Sequence, residues 1–264
     1  MNRTGVIRTF KLTIAYDGTR YAGWQAQRYS SQQSAASNKP ERKPTIQGTL
    51  EQTLKRILQE SVKVIGSGRT DAGVHAIAQV AHVRTRSRLS CNRLLRSVNQ
   101  LLPSDIALTQ IEQAHSAFHA RFHATRKRYR YCIFTGSVVP PFIRPYVLHF
   151  PDRLNAALMR REAAYLKNRH DFRAFAQAKS VRQRSTIRTI TDVQFKRQGP
   201  QLQIEVEGNG FLHTMVRSIV GTLMDVGRGH LPPGTIRRMV QSKNRDMAGS
   251  TAPARGLTLL RVHY

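Results

Sequence analysis

Asp71 is the residue whose type and surroundings most favour chemistry. It lies in the stretch GSGRTDAGVH at 66–75 and is the only carboxylate between Glu60 and Asp105. An aspartate beside glycine commonly accepts hydrogen bonds from its own turn. The alternative is an ionised nucleophile or general base, which a neighbouring arginine keeps charged and whose small neighbours let a flat base approach. The loop residues alone leave both interpretations open.

Tyr129 and Tyr131 form a second group that could contact a ligand. They lie in the run RKRYRY at 126–131, and on a strand they share one face. One ring could stack on a displaced base while the other packs beneath it, and basic residues interleaved with aromatic ones favour looped or single-stranded RNA. Two core tyrosines of a sheet are the alternative, and alternation does not indicate which ring is exposed.

Two other kinds of site are disfavoured. The glycine-rich stretch at 66–75 has no Gly-Lys-Ser/Thr ending and no helix pattern directly behind it, so it does not predict a nucleoside triphosphate loop. His115, His119 and His123 are spaced four apart, but no cysteine or carboxylate accompanies them at ligand spacing. We therefore predict no metal site.

The composition indicates a polyanionic partner. The chain has 264 residues, with 43 Lys+Arg against 15 Asp+Glu, a net charge of +28 and a pI near 11.5. RNA, DNA and an anionic lipid surface would all be attracted by this charge. The two cysteines indicate no disulfide framework, and no apolar run has the length of a signal peptide or a membrane span. We expect a soluble cytoplasmic protein without a membrane segment.

The elements that must position these residues follow a βαββαβ order in the first half of the chain. Alternation predicts a strand at 8–16, Thr45 precedes a helical pattern, and Pro103 ends a second helix. The second half repeats the order, with strands at 128–135, 189–196, 201–207 and 257–263 and helices at 152–166, 212–226 and 235–241. This order predicts an α+β fold of two tandem ferredoxin-like units, whose mostly antiparallel sheet is flanked by helices. The predicted subdomains are 1–113, which carries the Asp71 loop, and 114–264, which completes the cleft.

Residues 28–44 fit no element. They are rich in serine, proline and charge and have no apolar period, so they lack the burial that would offset the entropy of ordering them. We predict a mobile surface loop, which is either a basic flap that closes on nucleic acid or a tolerated insertion.

The order of several motifs resembles one known family. Six segments resemble segments of the tRNA pseudouridine synthase A family and follow one another in the same order. They are YDGTRYAGWQAQ at 16–27, TIQGTLEQTL at 45–54, GSGRTDAGVHA at 66–76, FHARFHATRKRYRY at 118–131, GNGFLHTMVRSIVGTLMDVG at 208–227 and APARGLTLLRVHY at 252–264. The resemblance covers nearly the whole chain and implies the pseudouridine synthase fold. The 28–44 segment departs from it, being longer and more polar than is usual there.

This resemblance implies a function and a role for four residues. The chain would isomerise uridine to pseudouridine at positions 38 to 40 of the tRNA anticodon stem-loop, with Asp71 as the nucleophile. Arg217 would contact Asp71, Arg69 would help to displace the target base, and Tyr129 would stack on it. The residues alone favour a surface helix arginine at Arg217, and at Arg69 they leave the alternative that it merely neutralises Asp71. The resemblance also implies no cofactor, no metal and a homodimer that binds tRNA.

Two other functions remain as alternatives. A non-catalytic RNA-binding or ribosome-assembly protein would suit the charge equally well, and for it Asp71 would be dispensable. A glycosylase or hydrolase that used the same carboxylate would release free base or a broken strand.

Overall fold

The computed structural model describes residues 6–25, 43–177 and 185–264. The chain divides into two compact units, Met1–His123 and Ala124–Tyr264. The predicted loop at 28–44 lies outside the described residues except at Lys43 and Pro44. Within the described ranges, no helix has the length and apolar character needed to cross a membrane.

The part of the first unit that the structure describes is a four-stranded antiparallel sheet with two α-helices. In chain order its elements are β1 (Arg8–Tyr16), α1 (Ile46–Leu58), β2 (Ile65–Gly66), β3 (His75–Thr85), α2 (Cys91–Leu101) and β4 (Ile106–Ala114). The strand order is β4-β1-β3-β2, so β1 pairs with both long neighbours, Leu12 lying opposite Ala81 and Ile111.

Alternation and capping explain why these segments fold as they do. Phe10, Leu12 and Ile14 are fully buried on one face of β1, as expected for a strand with one core face. The Thr45 side chain accepts from the Gly48 N–H and caps α1. Both predictions for this part of the chain are confirmed, and α2 ends before Pro103 as expected.

In its described residues, the second unit is a larger sheet with three α-helices. Its elements are β5 (Arg126–Phe134), β6 (Leu148–His149), α3 (Ala156–Ala163), β7 (Asn168–Asp171), β8 (Ile187–Gln198), β9 (Gln201–Gly208), α4 (Met215–Gly227), α5 (Thr235–Ser242) and β10 (Leu257–His263). The order β10-β5-β9-β8-β7 is antiparallel throughout, and β6 alone joins β5 in parallel.

The buried residues of this unit lie on one face of the sheet and along α4. Tyr131, Ile133 and Ile204 are fully buried on that face. Nearly every residue of α4 is also buried, including Ile219, so this helix is apolar around most of its circumference.

The predicted α+β class with mostly antiparallel strands is confirmed. The two short strands β6 and β7 were not predicted, because their four residues or fewer show no alternation that can be recognised. The helix predicted at 152–166 begins only at Ala156, where the Asn155 side chain caps it. The helix predicted at 212–226 begins at Met215, after Thr214 at φ +60.

Candidate active site

The loop that carries Asp71 connects β2 to β3 and is fixed at its beginning by a buried polar pair. The Ser67 hydroxyl donates to Gln79 Oε1 over 2.7 Å, and Gln79 Nε2 donates to the Gly68 carbonyl over 3.1 Å. The Ser67 N–H also donates to the Val80 carbonyl over 2.7 Å. Because Ser67 and Gln79 are almost completely buried, these hydrogen bonds are shielded from water and hold the start of the loop against β3.

The middle of the loop is held by residues from the end of β1 and the turn that follows it. The Tyr16 hydroxyl lies 2.8 Å from Thr70 Oγ1, and the Trp24 N–H donates to the Thr70 carbonyl over 3.1 Å. A Cβ on Gly23 would lie 2.6 Å from that carbonyl and 3.0 Å from the Asp71 carbonyl carbon. Gly23, at φ +93, is therefore required for this close approach.

The loop then turns back into β3 immediately after Asp71. The Val74 N–H donates to the Asp71 carbonyl over 3.2 Å, and Gly73 supplies the positive φ of +77 that this turn needs. The main chain on both sides of Asp71 is thus hydrogen-bonded. The Asp71 side chain is half-buried and that of Arg69 is exposed, so both reach a surface from a fixed backbone.

His75, the first residue of β3, lies at the C-terminal end of the loop. It is buried, and its Nδ1 accepts from the Gly18 N–H over 3.1 Å, while Asp17 Oδ1 lies 3.1 Å from the same nitrogen. A Cβ on Gly18 would lie 2.1 Å from the Val74 carbonyl oxygen. The turn after β1 therefore packs tightly on the end of the Asp71 loop.

Several of these supporting residues received no role from the sequence. Tyr16, Gly18, Gly23 and Trp24 lie in the motif at 16–27, but nothing in that motif indicates that it holds the Asp71 loop. Gln79 was missed as well, although a polar residue within an otherwise apolar strand is a recognisable indication of a buried hydrogen-bonding role.

Arg217 lies in the first turn of α4 and is half-buried. Its Nε donates to the Ala252 carbonyl over 2.8 Å, and the Ala252 N–H donates back to the Arg217 carbonyl over 3.1 Å. This reciprocal pair fixes the stem of the side chain against residues 249–252. Arg217 therefore lies partly at the surface, with its guanidinium held by the backbone of Ala252.

Residues 249–252 are in turn tied to α4 along its length. The Gly249 N–H donates to Thr222 Oγ1 over 3.1 Å, and the Ser250 N–H donates to Asp225 Oδ2 over 2.8 Å. A Cβ on Gly221 would lie only 1.7 Å from the Ser250 carbonyl oxygen. The segment therefore lies directly on the helix that carries Arg217.

The two tyrosines of β5 are both buried. Tyr131 is fully covered, and its hydroxyl donates to the Pro253 carbonyl over 2.8 Å. Burial raises the pKa of the Tyr131 phenol. Tyr129 is 7% exposed, and its ring meets that of Phe211 edge to face at 5.2 Å. Tyr129 is thus the more accessible of the pair, which alternation alone could not indicate.

Two arginines of the run at 126–131, Arg128 and Arg130, are paired with acids of another strand. On the opposite face of β5, Arg128 Nε lies 2.9 Å from Glu207 Oε2, and Arg130 Nη2 lies 2.7 Å from Glu205 Oε1. Both acids belong to β9, about 75 residues later in the chain, directly across from their partners. Cross-strand pairing of this kind cannot be read along one strand.

These ion pairs shift the pKa values of Arg128 and Glu205. Hydrogen bonding to Glu207 raises the pKa of Arg128. Burial opposes the ionisation of Glu205, but its hydrogen bonds with Arg130 and the charges of Lys196 and Arg128 together lower its pKa. Charges in this array therefore neutralise one another.

The three regularly spaced histidines accept backbone hydrogen bonds within their own segment. His115 Nδ1 accepts from the Ala117 N–H over 3.2 Å, and His119 Nδ1 accepts from the Arg121 N–H over 3.2 Å. In the part of the chain that the structure describes, no group of three His, Cys, Asp or Glu side chains could hold a metal ion.

The four predicted site residues fall in two units. Asp71 and Arg69 belong to the first unit, and Tyr129 and Arg217 belong to the second. Contact of Arg217 with Asp71 stays a prediction.

Known proteins similar to this chain share one description. A family model described as tRNA pseudouridine synthase matches residues 12–123 and 163–264. The tRNA pseudouridine synthase A of Moorella thermoacetica is 42% identical over 255 residues, which are 96% of this chain and 98% of the relative. The protein of the same name from Acetivibrio thermocellus is 40% identical over 258 residues, which are 98% of this chain and 100% of the relative.

Proposed function

The chain belongs to the tRNA pseudouridine synthase family, whose members are isomerases, and from this premise we propose its reaction. It converts uridine to pseudouridine at positions 38 to 40 of the tRNA anticodon stem-loop, and Asp71 is the nucleophile. The observation that carries this proposal is the loop at 67–74, which holds a half-buried carboxylate on a backbone fixed from both sides. A reacting group needs such support, because small displacements from the productive geometry are costly in rate.

The reaction exchanges one bond for another. The Asp71 carboxylate attacks either the sugar C1′ or the uracil C6, and the C1′–N1 bond breaks. The uracil turns, a C1′–C5 bond forms, the proton on C5 is lost, N1 takes up a proton, and the carboxylate leaves unchanged. Substrate and product therefore have the same atoms and the same oxidation state.

The other three residues act on the base and on the carboxylate. Arg69 is exposed beside Asp71, where its guanidinium offsets part of the few kcal/mol that unstacking the target base costs. Tyr129 stacks on the uracil, supported edge to face by Phe211. Arg217 contacts Asp71 and keeps it ionised, since an adjacent positive charge favours the carboxylate.

We further propose that the chain consists of two ferredoxin-like subdomains, 1–113 and 114–264, which correspond closely to the two units. The order β4-β1-β3-β2 of the first sheet and its βαββαβ sequence of elements support this. The family also supports a homodimer that acts on tRNA in the cytoplasm without a cofactor or metal.

The test replaces the nucleophile and nothing else. Asp71→Asn keeps the size of the side chain, so we expect tRNA affinity close to that of the unchanged protein and no detectable pseudouridine. The exposed Asp152→Asn is the matched control and should retain full activity. The measurement is digestion of tRNA after incubation, with nucleosides resolved and pseudouridine mapped by position.

Three results would contradict the proposal in different ways. Full activity of Asp71→Asn would exclude Asp71 as the nucleophile. Free uracil or broken strands would indicate a glycosylase or hydrolase. Binding of tRNA without any modified nucleoside would favour the non-catalytic RNA-binding alternative.

A further inference from the structure

Three aromatic rings of the first unit form a stack that leads from its interior to its surface. The rings of His82 and His119 are 4.8 Å apart, and those of His119 and Phe122 are 4.2 Å apart and stacked at 29°. His82 is 2% exposed and Phe122 is 75% exposed. We call these residues the aromatic stack.

The aromatic stack is fixed before any ligand arrives. His82 Nδ1 accepts from the Ala120 N–H over 3.1 Å, and His119 Nδ1 accepts from the Phe122 N–H over 3.2 Å. One face of the Phe122 ring rests on His119, so the opposite face is open and already oriented. Pre-orientation of this kind lowers the entropic cost of binding a flat ligand.

Charges around Phe122 favour an anionic partner. The Arg121 guanidinium lies 5.9 Å from the centre of the Phe122 ring, and Arg84 is exposed with its Nη2 bonded to the Ser116 carbonyl. Lys11 approaches Phe118 at 5.9 Å, but its charge is paired with Glu112 at 2.7 Å. Burial, followed by the positive charges of its neighbours, lowers the pKa of His119, which keeps its ring uncharged beneath Phe122.

The aromatic stack and Asp71 lie toward opposite ends of β3, although the Asp71 loop begins beside His82, where Gly66 pairs with Ala81. His75 at the end of that loop and His82 of the stack are both on β3, and at about 3.3 Å per residue they are about 23 Å apart along the strand. A ligand on Phe122 is therefore not the uridine that meets Asp71.

We propose that the open face of Phe122 is a stacking site for an unpaired base of the bound tRNA, outside the target positions. An exposed aromatic ring flanked by arginines is the combination by which proteins bind unpaired bases, since the ring contacts the base and the guanidinium contacts its phosphate. This inference rests on the proposed function for the identity of the RNA. The site contributes affinity and not chemistry.

The experiment compares three variants of the full-length protein. Phe122→Ala removes the ring, Phe122→Trp retains an aromatic surface, and Phe142→Ala removes an equally exposed ring, 89% accessible, from the second unit. We expect Phe122→Ala to weaken tRNA binding and raise KM about 5- to 100-fold with kcat unchanged, because stacking on one base contributes that much. Phe122→Trp and Phe142→Ala should bind like the unchanged protein.

A second measurement locates the base. Ultraviolet cross-linking of the unchanged protein to tRNA containing 5-iodouridine, followed by mass spectrometry, should join Phe122 to a nucleotide outside positions 38 to 40. A cross-link at those positions, or equal affinities for Phe122→Ala and Phe142→Ala, would overturn the inference. So would a Phe122→Ala protein whose oligomeric state changes while its affinity for tRNA does not, because the partner would then be a second copy of the chain.

Failure of this inference differs from failure of the proposed function. If Phe122→Ala binds tRNA normally while Asp71→Asn is inactive, only the stacking site is wrong. If Asp71→Asn remains active, the proposed nucleophile is wrong, and the affinity of Phe122→Ala still decides the stacking site.

Discussion

The pKa of His82 links a single residue to the stability of the first unit. Burial, followed by the electrostatic effects of His119, Arg84 and His123 on a protonated ring, lowers this pKa to about 4. The ring is therefore neutral in the folded protein at pH 7, and its Nδ1 is free to accept the Ala120 N–H. In the unfolded chain the same histidine titrates near 6.5.

On acidification, His82 binds a proton in the unfolded state before it does so in the folded state, and this sets the direction of the pH dependence. As the pH falls below about 6.5, unfolded His82 is protonated while folded His82 is not, so the stability of the folded protein declines until the pH reaches about 4. We predict that His82→Asn, whose amide oxygen can accept the same N–H, makes the fall in the urea midpoint between pH 7 and pH 4.5 shallower.

The exposed His230→Asn is the control for loss of a histidine. A His82→Asn protein whose midpoint falls as steeply as that of the unchanged protein would show that His82 does not cause the acid sensitivity.

Individual residues also show what a sequence can and cannot indicate. Asp71 could be recognised because it is the only carboxylate in its stretch and lies in a motif. The residues that hold its loop could not, because Tyr16 and Thr70 are 54 positions apart and no local pattern joins them. The partners of Arg128 and Arg130 escaped prediction for the same reason.

At the scale of elements, the contact of α4 with residues 249–252 should make a glycine-to-alanine substitution in this helix destabilising. Replacing glycine by alanine inside a helix ordinarily stabilises it by about 1 kcal/mol. At Gly221 the new Cβ would lie 1.7 Å from the Ser250 carbonyl oxygen, which is a backbone atom. The added methyl group must therefore displace the segment that bonds Arg217 through Ala252.

We predict that Gly221→Ala destabilises the protein by about 1–3 kcal/mol, the usual cost of overpacking. Because Arg217 Nε donates to Ala252, kcat should also fall. Gly210→Ala is the matched control, since its Cβ would make only ordinary contact, at 3.6 Å from Arg188 Nε. Urea denaturation and steady-state kinetics provide the measurements, and a Gly221→Ala protein as stable as the control would contradict this packing.

The elements were predicted well where the pattern was long and poorly where it was short. The alternation of β1 was sufficient to predict that strand, and Thr45 was sufficient to predict where α1 begins. The start of α4 was placed three residues early, because Leu212 fits the helical spacing of Met215 and Ile219 although the backbone before Met215 is not helical, with Thr214 at φ +60. Helix boundaries depend on backbone geometry that apolar periodicity does not report.

At the scale of the whole molecule, whose net charge is +28, two kinds of arginine can be distinguished. Arg128 and Arg130 are paired with the buried acids Glu205 and Glu207. Four others are exposed and have no ion-pair partner among the described residues: Arg86, Arg88, Arg93 and Arg96. Only the second kind is available to phosphates. The count of 43 basic residues therefore overstates how many are available to contact RNA, whereas the net charge has already subtracted the paired acids.

This distinction gives the last prediction, which separates the two kinds by salt dependence. Each phosphate contact contributes about 0.7–0.9 to the slope of log affinity against log salt concentration. Replacing the four exposed arginines with glutamine should lower that slope for tRNA by up to about 3 and leave the melting temperature nearly unchanged.

Replacing Arg128 and Arg130 with glutamine should change the slope by less than about one. It should also lower the melting temperature, because Glu205, 4% exposed, would lose its strongest partner. Equal losses of slope from the two sets would mean that the paired arginines contact phosphate, and that the ion pairs of β5 and β9 open when tRNA binds.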